Sequence, residues 1–189
     1  MATPGMRLVL FCSGQVLERW HSWELAASSA LAAGVIEIEL GVETGKVEII
    51  DYLGVADCGT VTHPQGLSTQ IKGGAVMGFG MAVTERHLYD DVWGLPGSVG
   101  LYQVKPPSYL DVPSEMDWAA VNIADPDNPV GSKGIGEPVM GCSAAALLCA
   151  ISEALEGHYF NRTPVVTDMI GNVCSGQPQS HTPLQVNTQ

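Results

Sequence analysis

Basic residues are scarce in this 189-residue chain: 8 Lys and Arg stand against 20 Asp and Glu, a formal net charge of −12. That balance argues against a surface for nucleic acid or for an anionic membrane. Cysteine is sparse and scattered, and Cys12, Cys58, Cys142, Cys149 and Cys174 form no CxxC pair. An odd count without framework spacing fits a reducing compartment and argues against an iron–sulfur cluster or structural zinc in this chain. The apolar run within Arg7–Phe11 is too short for a signal-peptide core or a membrane span, so a cytoplasmic location is expected. Neither GxxxxGKS/T nor GxGxxG occurs, which removes the common phosphate-cradling loops. His63, His87, His158 and His181 are each isolated, so no metal site built from protein side chains is expected.

What is present suits one domain, or one domain and a short arm, with 46% hydrophobic residues for a core. Residues 1–32 carry no usable period and read as an N-terminal arm of unclear origin. From Val35 the pattern sharpens. Ile36, Ile38 and Leu40 alternate with Glu37 and Glu39, Glu43–Lys46 makes a turn, and Val47–Leu53 resumes the alternation, which predicts a β-hairpin. The apolar segment Gln70–Ala82 predicts a helix although it holds four glycines. Each costs about 1 kcal/mol relative to alanine, so Gly74 and Gly78 serve either tight helix packing or close approach to a ligand. Gln70 and Lys72 sit at its start as candidate contacts for a bound group, and His63 reads as a turn residue. Tyr89–Pro129 is rich in Pro, Gly and Asp and predicts a long surface loop around Tyr102–Pro113 without regular helix, with a short strand at Trp118–Ile123 leading into the turn Asp125–Pro129. An apolar helix then runs to Leu155, Thr163-Pro164 and Thr167–Ile170 look like a cap and a short last helix, and residues 175–189 form a polar, loose tail.

The stretch most suggestive of chemistry is Gly131-Ser132-Lys133-Gly134-Ile135-Gly136-Glu137, which feeds Pro138 and the apolar helix. Three glycines let the backbone approach a ligand and offer N–H donors, while Ser132 adds a hydroxyl and Lys133 a charge. From spacing alone, Glu137 is either a carboxylate placed favourably at a helix start or a catalyst.

Four stretches in order resemble the C-terminal part of the molybdopterin-binding large subunit of the xanthine dehydrogenase and aldehyde oxidase family, the molybdenum hydroxylases. They are Asp57-Cys58-Gly59 with the Pro64 turn, Gln70–Gly74 with Gly78-Phe79-Gly80, Asp111-Val112-Pro113, and Gly131–Pro138. The resemblance covers roughly residues 33–174 and implies an α+β fold: a hairpin or small mixed sheet packed by two buried glycine-rich or apolar helices, incomplete without the rest of the subunit. It implies a molybdopterin-type molybdenum cofactor, in the cytosine dinucleotide form if the chain is bacterial, with no protein ligand to the metal. Glu137 matches the base for oxidative hydroxylation of an aldehyde or N-heterocycle, with water as the oxygen source. Gln70, Lys72, Gly73, Gly74, Ser132, Lys133, Gly134, Ile135 and Gly136 are the implied cofactor contacts, and Tyr109 and Asp111 could face the substrate channel. A full family subunit is several times longer, so the expected partners are a larger molybdopterin-binding chain and subunits carrying FAD and 2Fe–2S centres. The chain is then one piece of a split subunit, inactive alone. The alternative is a catalytically silent fragment or assembly module of the same fold.

Overall fold

The computed structural model describes residues 8–12 and 30–180, the first of these segments as backbone. Strands Leu8–Cys12 (β1), Ala32–Gly41 (β2), Lys46–Asp57 (β3) and Glu115–Val121 (β4) form one sheet in the order β1-β2-β3-β4. β2 is antiparallel to both β1 and β3, whereas β4 joins β3 in parallel, giving the mixed sheet the sequence implied. Around it lie the helices Pro64–Phe79 (α1), Leu101–Val104 (α2), Pro138–Ala154 (α3) and Thr167–Cys174 (α4). Among the described residues no helix is long and apolar enough to cross a membrane.

The alternation read from the hairpin is a burial pattern. Ile36, Ile38, Leu40, Tyr52 and Ala56 face inward, while Glu39, Ile50 and Leu53 stay exposed on the other face. α1 brings Leu67, Ile71, Ala75 and Phe79 to that inner face, and α3 brings Val139, Cys142, Ala146, Leu147, Ala150 and Ile151. The Tyr52 and Phe79 rings meet edge to face, with centroids 5.3 Å apart. Burial pushes the Tyr52 hydroxyl well above its ordinary pKa, and its oxygen lies 4.0 Å from Cys142 Sγ. α1 and α3 touch through small residues. A Cβ at Gly74 would lie 3.4 Å from Val139 Cβ, and one at Gly78 would collide with Ser143 Oγ and the Met140 carbonyl. Close helix packing therefore explains both glycines.

Several boundaries differ from the sequence reading. α1 starts at Pro64, ahead of Gln70, because His63 Nδ1 accepts the Gly66 N–H at 2.6 Å and proline fits the first helical position. It passes Ala82 as a π turn over Gly80–Thr84. β4 begins at Glu115 rather than Trp118, since pairing with Asp51–Asp57 sets its length. The proline-rich segment holds two short helical turns: α2, ending at Lys105 in the left-handed region just before Pro106, and a 3-10 turn at Tyr109–Asp111. Val166, not Thr163, caps α4; Thr163-Pro164 is a cis peptide ahead of it. The described part of the polar tail folds back, with Gln177 N donating to Asn172 O and Gln179 Nε2 to Met169 O; residues 181–189 lie outside the described residues. Of the expected N-terminal arm only residues 8–12 and 30–32 are described, the former as β1 beside the hairpin.

Candidate functional site

The end of β3 and the glycine loop are joined as a short two-stranded link. Gly59 and Ser132 form an antiparallel bridge, Thr60 N donates to Gly131 O at 2.7 Å, and Lys133 N donates to Cys58 O at 2.8 Å. Gly59 and Gly131 both hold positive φ, and a Cβ at Gly59 would collide with the Gly131 carbonyl. Glycine is needed here for conformation and for room alike. Asp125 N also donates to Gly131 O, and Asn128 Nδ2 to Ser132 O, so the turn before the loop is held as well. Across the link Lys133 Nζ donates to Asp57 Oδ2 at 2.7 Å, both side chains being about one-fifth exposed or less. Asp57, aided by Asp125, holds the Lys133 ammonium above its ordinary pKa.

This link borders a cavity of about 190 Å³ lined by Cys58, Thr60–His63, Gly66, Leu67, Gln70, Ser132, Lys133 and Ile135. Gln70 from α1 thus meets Ser132, Lys133 and Ile135, which lie 62 or more positions further along the chain. Gly134 and Gly136 lie outside its lining; they are exposed, and a Cβ on either would meet nothing within 4 Å. Glu137 ends the loop as the N-cap residue of α3, exposed and making no side-chain capping bond. Its carboxylate therefore stands at the positive end of a 17-residue helix without being spent on closing it. Lys72 and Gly73 continue along α1, half-buried and exposed respectively, while Gly74 faces α3 and not the cavity.

The remaining pair of expected site residues lies elsewhere. Asp111 borders a larger cavity of about 620 Å³ at the Lys46 end of β3, together with Phe79, Arg86, Pro113, Val165 and Ile170. Its carboxylate accepts from both the backbone N and the Oγ of Ser108 at 2.7 Å, closing a capping box on the turn Tyr109–Asp111. Tyr109 is 91% exposed and lines neither cavity. Sequence reasoning overlooked Asp57, His63 and Cys58 as neighbours of the loop. The available signal was the pair of glycine-marked turns, one after Asp57 and one before Lys133, carrying opposite charges. Among the described residues no cluster of three or more His, Cys, Asp or Glu could hold a metal ion. What the site offers is an amide, hydroxyls, main-chain groups, one thiol and one imidazole, with the Lys133 ammonium paired to Asp57 and the Glu137 carboxylate beside them.

Comparison with known proteins adds to this geometry. The profile of the molybdopterin cofactor-binding domain family matches residues 18–113, reaching into the stretch that carries no period of its own. The chain is 32% identical over 143 residues to the 6-hydroxypseudooxynicotine dehydrogenase complex subunit gamma of Paenarthrobacter nicotinovorans, covering 75% of this chain and 18% of that protein. To the xanthine dehydrogenase molybdenum-binding subunit of Escherichia coli O157:H7 it is 30% identical over 125 residues, covering 66% of this chain and 16% of that one. Its fold matches quinoline 2-oxidoreductase from Pseudomonas putida 86 with a TM-score of 0.72 at 28% identity, over 79% of this chain and 19% of the other. The chain thus spans less than one-fifth of the length of each of these proteins.

Proposed function

The chain belongs to the molybdopterin cofactor-binding domain family, and on that footing we propose that it forms one wall of a molybdenum hydroxylase site with Glu137 as the base. The observation that carries this reading is the convergence of Gln70 with Ser132, Lys133 and Ile135, in a loop that ends on an uncommitted carboxylate at a helix start. Gln70, Ser132 and the open glycine backbone fit a group that brings its own metal ligands, since such a group asks the protein for hydrogen bonds and close backbone approach. Gln70, Ser132 and Ile135 would line it, Lys72 and Gly73 border it from α1, and the open backbone of Gly134 and Gly136 would face it; Gly74 packs the helices instead. When bound, the molybdenum cofactor supplies the two-electron redox chemistry for hydroxylating an aldehyde or N-heterocycle with oxygen from water. The Glu137 carboxylate takes up the proton that the water-derived nucleophile must lose.

A carboxylate that is to act as a base must be shielded enough to hold a proton and aimed within hydrogen-bond reach. The loop provides the aim, and the shielding must come from other segments because Glu137 is exposed here. The same need is visible elsewhere. Val92, Trp93, Tyr102, Tyr109 and Leu110 are all more than 75% exposed, an apolar surface that calls for cover. The chain therefore works beside a larger molybdopterin-binding portion, with FAD and 2Fe–2S centres on partner subunits receiving the electrons. The cofactor is of the cytosine dinucleotide type if the chain is bacterial, and the location is cytoplasmic.

The test is to purify the chain from its host under mild conditions and assay the assembly for molybdenum, pterin and larger polypeptides. Stoichiometric molybdenum with a larger chain, lost turnover and retained metal in Glu137→Gln are the expected results. Recovery of the chain alone and free of metal would sink the proposal and leave a silent fragment.

A further inference from the structure

The sequence suggested that the Lys133 charge contacts a bound group, but the geometry gives its ammonium another task. Asp57 spends both carboxylate oxygens on the link between β3 and the loop: Oδ1 accepts the Gly59 N–H at 3.3 Å and Oδ2 accepts from Lys133 Nζ at 2.7 Å. With the main-chain bond from Lys133 N to Cys58 O, residue 133 is tied twice to the end of the sheet. Beyond it, no backbone–backbone bond among the described residues holds positions 134–136, and the next tie is Met140 N to Glu137 O inside α3. Three residues, four steps and at most about 14 Å of chain, therefore separate the anchored residue from Glu137. A Cβ on Gly134 or Gly136 would meet nothing within 4 Å, so within this short span only Ile135, packed against the core, and the anchor at residue 133 fix the path of the loop.

We propose that Asp57 and Lys133 form a clamp that fixes the register of the glycine loop, making Asp57 a positioning residue that acts through the loop on Glu137. The proposal rests on the reading of Glu137 as the base. Asp125, whose main-chain N–H already holds Gly131 O, adds a smaller share of negative charge near the same ammonium. The side chains are sheltered enough for the pair to resist screening better than an exposed one.

A double-mutant cycle of Asp57→Asn, Lys133→Met and the two combined, made in the complete purified assembly, decides the matter. If the clamp holds, each single change raises amide exchange over residues 131–137 about tenfold and lowers kcat by up to about 10²-fold, as expected for a base misplaced by an ångström. KM and molybdenum content stay level, the combined variant is no worse than either single, and Lys133→Arg keeps exchange and turnover. If instead Lys133 serves the cofactor by direct contact, Asp57→Asn behaves as wild type while Lys133→Met alone loses molybdenum, and the clamp is overturned. Exchange in the α3 core, over residues 142–151, reports whether each variant folds. Should Asp57→Asn not fold, Asp57→Glu displaces the ammonium without removing the charge and reads the same loop amides. Full turnover in Glu137→Gln would remove the base from the account, yet loop exchange would still judge the clamp.

Discussion

The two ends of β3 carry two cavities that differ in what their polar groups are free to do. At the Lys46 end the space is larger, about 620 Å³ against 190 Å³, but Lys46 and Asp111 on its rim are engaged locally. Lys46 pairs with Glu48 at 3.3 Å, and Asp111 closes the turn at Ser108. At the Asp57 end, groups from α1, the end of β3 and the glycine loop face one small space, and a carboxylate next to it makes no capping bond. Convergence of polar groups from distant parts of the chain indicates chemistry.

The largest effect should separate the ends outright. Glu137→Gln keeps the shape and removes the proton acceptor, so kcat should fall by about 10²–10⁴-fold while molybdenum content stays level. Asp111→Asn, at the other end, should leave kcat within about twofold, because its carboxylate serves the local turn and substitutions on an exposed surface turn rarely reach further. Steady-state kinetics on the purified assembly checks both. Equal losses would erase the distinction drawn here.

A substitution between the ends should damage both together. Gly78→Leu drives a side chain into Ser143 Oγ and the Met140 carbonyl, where α1 and α3 meet with no space between them. Overpacking of this kind costs about 1–3 kcal/mol, and backbone in the way puts the effect at the upper end. A lowered thermal midpoint with simultaneous loss of cofactor is the expected outcome. Gly73→Ala, on the exposed side of the same helix with nothing within 4 Å, should leave the midpoint unchanged or slightly raised. A smaller change sharpens the comparison at the site. Gln70→Ala removes one hydrogen-bonding side chain at the cavity and should weaken cofactor retention about tenfold, read as molybdenum lost on dialysis. Arg86→Ala, beside the larger cavity, should not.

Those contrasts also show which parts of the molecule were legible in advance. The hairpin and α3 could be read from the sequence because their burial follows a local period, of two residues for Ile36–Leu40 and near-continuous apolar for Val139–Ile151. β1 could not, since Leu8–Cys12 is a short apolar run whose pairing with Ala32–Ile36 is set by the sheet and not by its own pattern. The parallel seat of β4 beside β3 is likewise a tertiary decision. At the site, the glycine loop stood out by its own composition and Gln70 as a polar group near a helix start, and Gln70 borders the same cavity as Ser132, Lys133 and Ile135. The Asp57–Lys133 pair did not stand out. Its members lie 76 positions apart, and the local signal was only the opposite charge beside two glycine-marked turns. Gly74 was read two ways, and the contact with Val139 favours packing.

The smallest predicted effect concerns Cys58, the buried thiol at the edge of the smaller cavity. Burial first, and then the adjacent Asp57 carboxylate, push its pKa above the ordinary 9.0; burial alone does the same for Cys149. Above about pH 9 the unfolded chain therefore releases the Cys58 proton while the folded chain keeps it. The unfolded state then binds fewer protons, so stability falls as pH rises through that window up to the raised value. Cys58→Ala should flatten this alkaline decline slightly, as measured by urea midpoints at pH 8 and pH 10. A thiolate-selective alkylating agent reads the same shift directly. At pH 8.5 the exposed Cys174 should react about tenfold faster than Cys58 in the folded protein, the difference vanishing in urea. Equal labelling of the two thiols in the folded state would mean that the wall beside the glycine loop opens to solvent, and that the polar groups converging there are not held as a site.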